Sequence, residues 1–169
     1  TNISFILAVF LIWCTFGCSE VRETPPASPP FKFINPNHLF GIECVDENYI
    51  WAVGFNSSIF HTSDGGGRWE RQDSGITNHL CDVSFPNKDI GWISGRAGTI
   101  LHTQNGGKKW AKQETGTNHH LFSLTFIDEQ YGWAVGDFGT IIHTSDGGAT
   151  WVSQGFGEDR IYNDVSFAD

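Results

Sequence analysis

The sequence repeats itself at a fixed interval. Trp51, Trp92 and Trp133 stand 41 residues apart, and so do Gly54, Gly95 and Gly136, His61, His102 and His143, and Trp69, Trp110 and Trp151. Three ungapped copies run over residues 38–78, 79–119 and 120–160, and a truncated fourth occupies 161–169. A unit that recurs in this way cannot bury its own apolar face and must stack on its neighbours. Each copy holds four short strand-like runs. In the second these are A over 80–85, B over 91–94, C over 99–103 and D over 109–113. Four short antiparallel strands in about 40 residues is the size of a propeller blade, and β-solenoid coils are usually shorter. The expected fold is all-β: three complete four-stranded blades and the start of a fourth, arranged as an open arc. The 20 Gly and 7 Trp suit short strands joined by tight turns. A propeller ring takes about 4 to 8 blades. With no initiator Met and a fourth copy that stops partway, we expect a piece of a longer chain.

On strand A, Phe40, Ile42 and Cys44 correspond to Cys81, Val83, Phe85 and to Phe122, Leu124, Phe126. Period-two spacing places each trio on one buried face, which we expect to pack against the next blade. Cys44 and Cys81 occupy different repeat positions and read as two buried free thiols, a disulfide being the alternative in an oxidising compartment.

Between strands C and D lies T-S-D-G-G-G-R-W, Thr62 to Trp69, with counterparts Thr103 to Trp110 and Thr144 to Trp151. The pattern resembles the Asp-box of sialidases, xyloglucan-degrading propellers and related binding proteins. Its residue types suit a turn. Asp64, Asn105 and Asp146 can accept backbone N–H groups from their own loop. The Gly pairs, which include Gly66, Gly107 and Gly148, permit positive φ. Trp69, Trp110 and Trp151 then bury their rings between blades. Asn105 serves a turn as well as Asp does but makes a poor carboxylate catalyst, so the box is read as structural. His61, His102 and His143 suggest a metal only superficially. Equivalent residues on stacked sheets lie roughly 10 Å apart, whereas zinc ligands converge to about 2 Å of one point. A packed histidine whose ring bonds a neighbouring turn is expected, and no metal or cofactor. His38, His79 and His120 stand at the mouth of strand A.

Residues 1–18 read as a signal or lipoprotein leader. The apolar run over 5–16 is shorter than the roughly 20 residues that span a bilayer, and Gly17-Cys18 after it resembles the bacterial lipoprotein signal, which makes Cys18 a candidate for lipidation. An ordinary cleaved signal or an uncleaved anchor is the alternative. Residues 19–36 form a Pro-rich polar tether that cannot bury enough surface to fold. The protein is therefore expected to be exported: anchored in a periplasm or thylakoid lumen, or secreted. A net charge of −9 argues against nucleic acid and anionic lipid as partners, leaving membrane contact to the leader or its lipid.

The repeat GWAVG-x-x-G-T-I-x-H-T-x-D-G-G-x-T-W closely resembles that of the photosystem II stability/assembly factor family. Gly91-Trp92, Gly95, Gly98-Thr99-Ile100 and the box carry the likeness, as do Gly132-Trp133, Gly136 and Gly139-Thr140-Ile141. The first copy departs, with Ile50 before Trp51 and Ser57-Ser58-Ile59 for Gly-Thr-Ile. The resemblance implies an exported, non-catalytic propeller that binds membrane-complex subunits, such as those of photosystem II, during assembly. A second reading is a glycoside hydrolase of sialidase or xyloglucanase type. A sialidase of this kind needs an Arg cluster, a Tyr nucleophile assisted by Glu, and an acid/base Asp, and the five Arg of this chain, Arg22, Arg68, Arg71, Arg96 and Arg160, build no such cluster on one face. A third is a carbohydrate-binding or adhesion propeller.

Strand alternation puts loops A–B and C–D on one face of a blade and loops B–C and D–A on the other. The second face carries the residues that differ between copies: Phe55, Asn56, Arg96, Asp137 and Phe138 in B–C loops, and Asn78, His119 and Arg160 in D–A loops. Variable loops on a rigid frame are how scaffolds carry recognition, so these eight are the candidate partner-binding residues, with Phe55, Phe138 and Arg96 as exposed anchors.

Overall fold

The computed structural model describes residues 38–157 and 159–167. The leader, the tether and Cys18 lie outside the described residues. Three four-stranded antiparallel sheets follow one another, each in sequential strand order. The first contains β1 (Leu39–Cys44), β2 (Ile50–Gly54), β3 (Ser58–Thr62) and β4 (Glu70–Gln72). The second contains β5 (Leu80–Ser84), β6 (Gly91–Gly95), β7 (Thr99–Thr103) and β8 (Ala111–Gln113), and the third β9 (Leu121–Phe126), β10 (Gly132–Gly136), β11 (Ile141–Thr144) and β12 (Val152–Ser153). These are the three blades the repeat predicts. Residues 159–167 carry no strand, but Tyr162 N–H donates to Gly136 O at 2.9 Å and Val165 N–H to Ser123 Oγ at 3.4 Å, so the start of the fourth copy runs along the third blade. No helix among the described residues is long and apolar enough to cross a membrane.

The seams between blades hold the core. Trp51 and Trp92, both fully buried, stack on Phe85 and Phe126 of the following blade with ring centroids 3.9 and 3.6 Å apart. The strand-A trio therefore packs against the preceding blade, which corrects the expected direction. Consequently Val83, Phe85, Leu124 and Phe126 are buried, while Phe40 and Ile42 of the first blade are 54% and 41% exposed.

One substitution pair within the repeat follows from this packing. Gly132 and Phe126 are cross-strand partners, and a Cβ on Gly132 or Gly91 would overlap the Phe126 or Phe85 ring. In the first blade the same pair is Cys44 and Ile50. Loss of the ring makes room for the side chain opposite, which accounts for Ile50 before Trp51. Cys44 and Cys81 are half-buried rather than fully buried, and burial pushes the Cys81 thiol up to about 11.

Candidate functional site

The three boxes fold alike. Asp64 Oδ1 accepts Thr62 Oγ1–H and Arg68 N–H, each at 2.8 Å, while Thr62 Oγ1 accepts Gly66 N–H at 3.0 Å. Asn105 Oδ1 takes the same two donors, Lys109 N–H at 2.9 Å and Thr103 Oγ1–H at 3.0 Å, with Gly107 N–H on Thr103 Oγ1 at 2.9 Å. Asp146 Oδ1 accepts Thr144 Oγ1–H at 2.8 Å and Thr150 N–H at 2.9 Å, its Oδ2 accepts Thr150 Oγ1–H at 2.7 Å, and Gly148 N–H reaches Thr144 Oγ1. The Arg68 amide and Thr62 hydroxyl hold the Asp64 carboxyl below its ordinary range; the Thr150 hydroxyl and amide do so for Asp146. The first Gly N–H of each box donates to the A–B loop: Gly65 to Asn48 O, Gly106 to Asp89 O, Gly147 to Gln130 O. These groups fasten a turn, and no group of three or more His, Cys, Asp or Glu able to hold a metal occurs among the described residues.

The box tryptophans are not equally buried. Trp110 is 7% exposed, whereas Trp69 and Trp151 are half-buried. Two of them make a contact to the preceding blade that sequence reading did not single out. Trp110 Nε1–H donates to Gln72 Oε1 of the preceding blade at 3.3 Å, and Gln72 Nε2–H donates to Gly106 O at 2.8 Å. Gln113 repeats both bonds to Trp151 at 3.2 Å and to Gly147 O at 2.9 Å. A Cβ on Gly107 or Gly148 would collide with these glutamines, so the second box glycine also makes room for them. Trp69 has no such glutamine before it among the described residues. The visible signal was W-x-x-Q, present in all three copies as Gln72, Gln113 and Gln154.

The box-flanking histidines also differ from expectation. His61 and His102 stack on Trp51 and Trp92 at 4.4 and 4.6 Å, and the His143 ring lies tilted against Trp133 at 4.3 Å. Their Nε2 atoms are buried without a hydrogen-bond partner, so they pack on indoles and do not bond a turn through Nε2. Burial lowers the His61 and His102 pKa. His79 and His120 instead use Nδ1 to accept the B–C loop amides of Asn56 at 3.2 Å and Ala97 at 3.0 Å. On the first strands of the blades, Asp82 Oδ2 accepts Ser123 Oγ–H at 2.8 Å and Leu124 N–H at 3.0 Å, and burial with the Asp82 charge pushes Glu43 up to about 7.

The structure brings the B–C and D–A loops of a blade together. Gly98 N–H donates to His119 O at 2.6 Å and Gly139 N–H to Arg160 O at 2.7 Å. Of the eight candidate residues, Asn56, Arg96, His119, Phe138 and Arg160 are exposed. Phe55 is not the exposed anchor expected: it is half-buried, stacked on His79 at 3.9 Å. Asn78 is half-buried and ties Arg96 O and Thr99 Oγ1 together, so it is mainly a brace. His119 Nδ1 lies 2.8 Å from Thr140 Oγ1, and its ring 5.0 Å from that of Phe138. Asn56, Ala97 and Phe138 hold φ of 52°, 55° and 52°. A left-handed backbone costs an ordinary L residue about 1–2 kcal/mol.

The family model described as photosynthesis system II assembly factor YCF48 matches residues 32–115 and 109–168. Among solved structures, "YCF48 bound to D1 peptide" aligns at TM-score 0.62 and 25% identity, covering 68% of this chain and 39% of that one. YCF48 from Cyanidioschyzon merolae aligns at TM-score 0.61 and 25% identity, with the same coverage of 68% and 39%. The chain thus spans 39% of the length of these relatives. An ancestral GH74 enzyme aligns at TM-score 0.60 and 13% identity, over 72% of this chain and 18% of that one, a likeness of fold alone. No curated protein sequence matches. The chain belongs to the YCF48 photosynthesis system II assembly factor family.

Proposed function

We propose that the protein is a non-catalytic scaffold that binds protein subunits of a membrane complex during assembly, with photosystem II subunits as the partners its family favours. The family match across residues 32–168 carries this reading, and the similarity to a YCF48 bound to D1 peptide supports a peptide-binding role for the fold. The box chemistry favours a scaffold over a glycoside hydrolase: Asp64 and Asp146 are engaged within their own turns, and the third position of the set is Asn105. The binding face is assigned to the B–C and D–A loops. Placement outside the cytoplasm, by lipid on Cys18 or by the leader, belongs to the same reading.

The experiment is capture by the full-length protein from detergent-solubilised host membranes, with the partners identified, alongside binding to a polysaccharide panel. Subunits of one membrane complex are the expected product. Polysaccharide binding without such subunits would establish the carbohydrate-binding reading instead.

A further inference from the structure

Each blade passes from its second to its third strand through a turn with two central residues at positive φ: Asn56 and Ser57, Ala97 and Gly98, Phe138 and Gly139. Ser58 N–H closes the first turn on Phe55 O, Thr99 N–H the second on Arg96 O, and Thr140 N–H the third on Asp137 O. This is the two-residue hairpin that Asn-Gly fills best, because Asn tolerates the left-handed backbone and Gly has no Cβ to clash. Asn56 and Ala97 are small. Phe138, bulky and at φ 52°, is the poorest fit of the three.

Burial does not compensate Phe138. Its side chain is 56% exposed, with the His119 ring tilted against it at 5.0 Å. The third turn also lacks the imidazole tether of the other two, since Ile161 stands where His79 and His120 accept the loop amide. Adjacent to the ring, Asp137 Oδ1 is buried without a hydrogen-bond donor. A turn that combines a strained residue, an exposed aromatic ring and an unpaired carboxylate oxygen violates three local rules at once, which is the signature of a site kept for contact. Of the charged residues on the B–C and D–A loops of the third copy, Asp137 stands in the turn itself, and Arg160 accepts the Gly139 N–H through its backbone carbonyl.

We infer that the Asp137–Phe138 turn anchors an extended peptide segment of the partner through a basic side chain flanked by apolar residues. The guanidinium or ammonium group pairs with the half-buried Asp137 carboxylate, and the apolar neighbours cover the Phe138 ring. This rests on the loop-face reading above and adds the chemistry of the ligand.

The test uses the full-length protein and a tiled array of overlapping peptides spanning the membrane subunits it captures. Binding peptides are resynthesised with Gln for each Lys or Arg and measured by fluorescence anisotropy. Replacing one basic residue is expected to weaken binding about tenfold or more, the scale of one charge-assisted hydrogen bond. Asp137→Asn should erase the difference between the basic and Gln peptides. Phe138→Asn should weaken both by about tenfold while raising the urea midpoint. Equal binding of Arg and Gln peptides to the wild type, discrimination retained in Asp137→Asn, or a lower midpoint in Phe138→Asn would overturn the inference. If no peptide binds, yet capture of intact subunits still requires Phe138 and Arg96, the basic-peptide inference fails and the face reading stands. If capture is indifferent to both residues, the face reading itself fails.

Discussion

Substitution of the strand-D glutamines by alanine should give three different losses of stability, in an order set by what each leaves unpaired. Gln72→Ala removes the acceptor of the Trp110 indole N–H and the donor to Gly106 O. Trp51 Nε1 has no hydrogen-bond partner and so does not already serve that carbonyl. Two polar groups in a buried seam are stranded, at about 1–3 kcal/mol each when desolvated, so a loss of about 2–4 kcal/mol is expected. Gln113→Ala strands the half-buried Trp151 indole, but Gly147 O keeps the Trp92 Nε1–H at 3.1 Å. Its loss should be about 1–2 kcal/mol. Gln154 is exposed and bonds Trp133 Nε1 within its own blade, so Gln154→Ala should cost under about 0.5 kcal/mol. The assay is equilibrium urea unfolding followed by tryptophan fluorescence, with the m-value checked for constancy. Equal losses at the three positions, or a larger loss for Gln154 than for Gln72, would refute the claim that these side chains lock one blade to the next.

Asp146→Ala should lower the melting temperature and Asp146→Asn should lower it much less, since Asn105 makes the same two Oδ1 bonds; equal effects in differential scanning calorimetry would remove the turn-fastening role. The Glu43 carboxyl, raised to about 7 by burial and Asp82, favours its neutral form in the folded state. Its stabilising contribution is full below the unfolded value near 4.5 and is lost as pH rises through about 7. Glu43→Gln should therefore gain on the wild type between those limits, and parallel stability–pH curves from urea midpoints would contradict this. Cys18→Ser should move the protein from the membrane fraction to the soluble exported fraction, and unchanged partition with a cleaved leader would show that lipid on Cys18 is not the anchor.

Blade number, strand order and turn chemistry were legible because they are written in local pattern. The 41-residue spacing, the period-two trios on strand A and the Asp/Asn-Gly-Gly turns each specify structure within a single copy. What crosses between copies was harder to read. The trio around Val83 and Phe85 announces a buried face but not which neighbour covers it, and stacking of Trp51 on Phe85 decides for the preceding blade. Gln72 resembles an ordinary surface residue until the next blade's box is placed against it. His102 appeared as a turn partner from its position beside the box, yet the indole of Trp92 on the adjacent strand takes its ring. On the loop face, variability between copies could not separate Phe55, folded onto His79, from Phe138, which is exposed.

The loop-face assignment is tested most directly by paired substitution in the intact protein, with quantitative capture of membrane subunits as the readout. Arg96→Ala combined with Phe138→Ala alters exposed side chains on the B–C loops, whereas Lys108→Glu reverses an exposed charge beside the second box on the opposite face. The loop pair should reduce capture with little fall in melting temperature, and Lys108→Glu should leave capture at the wild-type level. Loss of capture in Lys108→Glu with full capture by the loop pair would show that the partner sits on the box face.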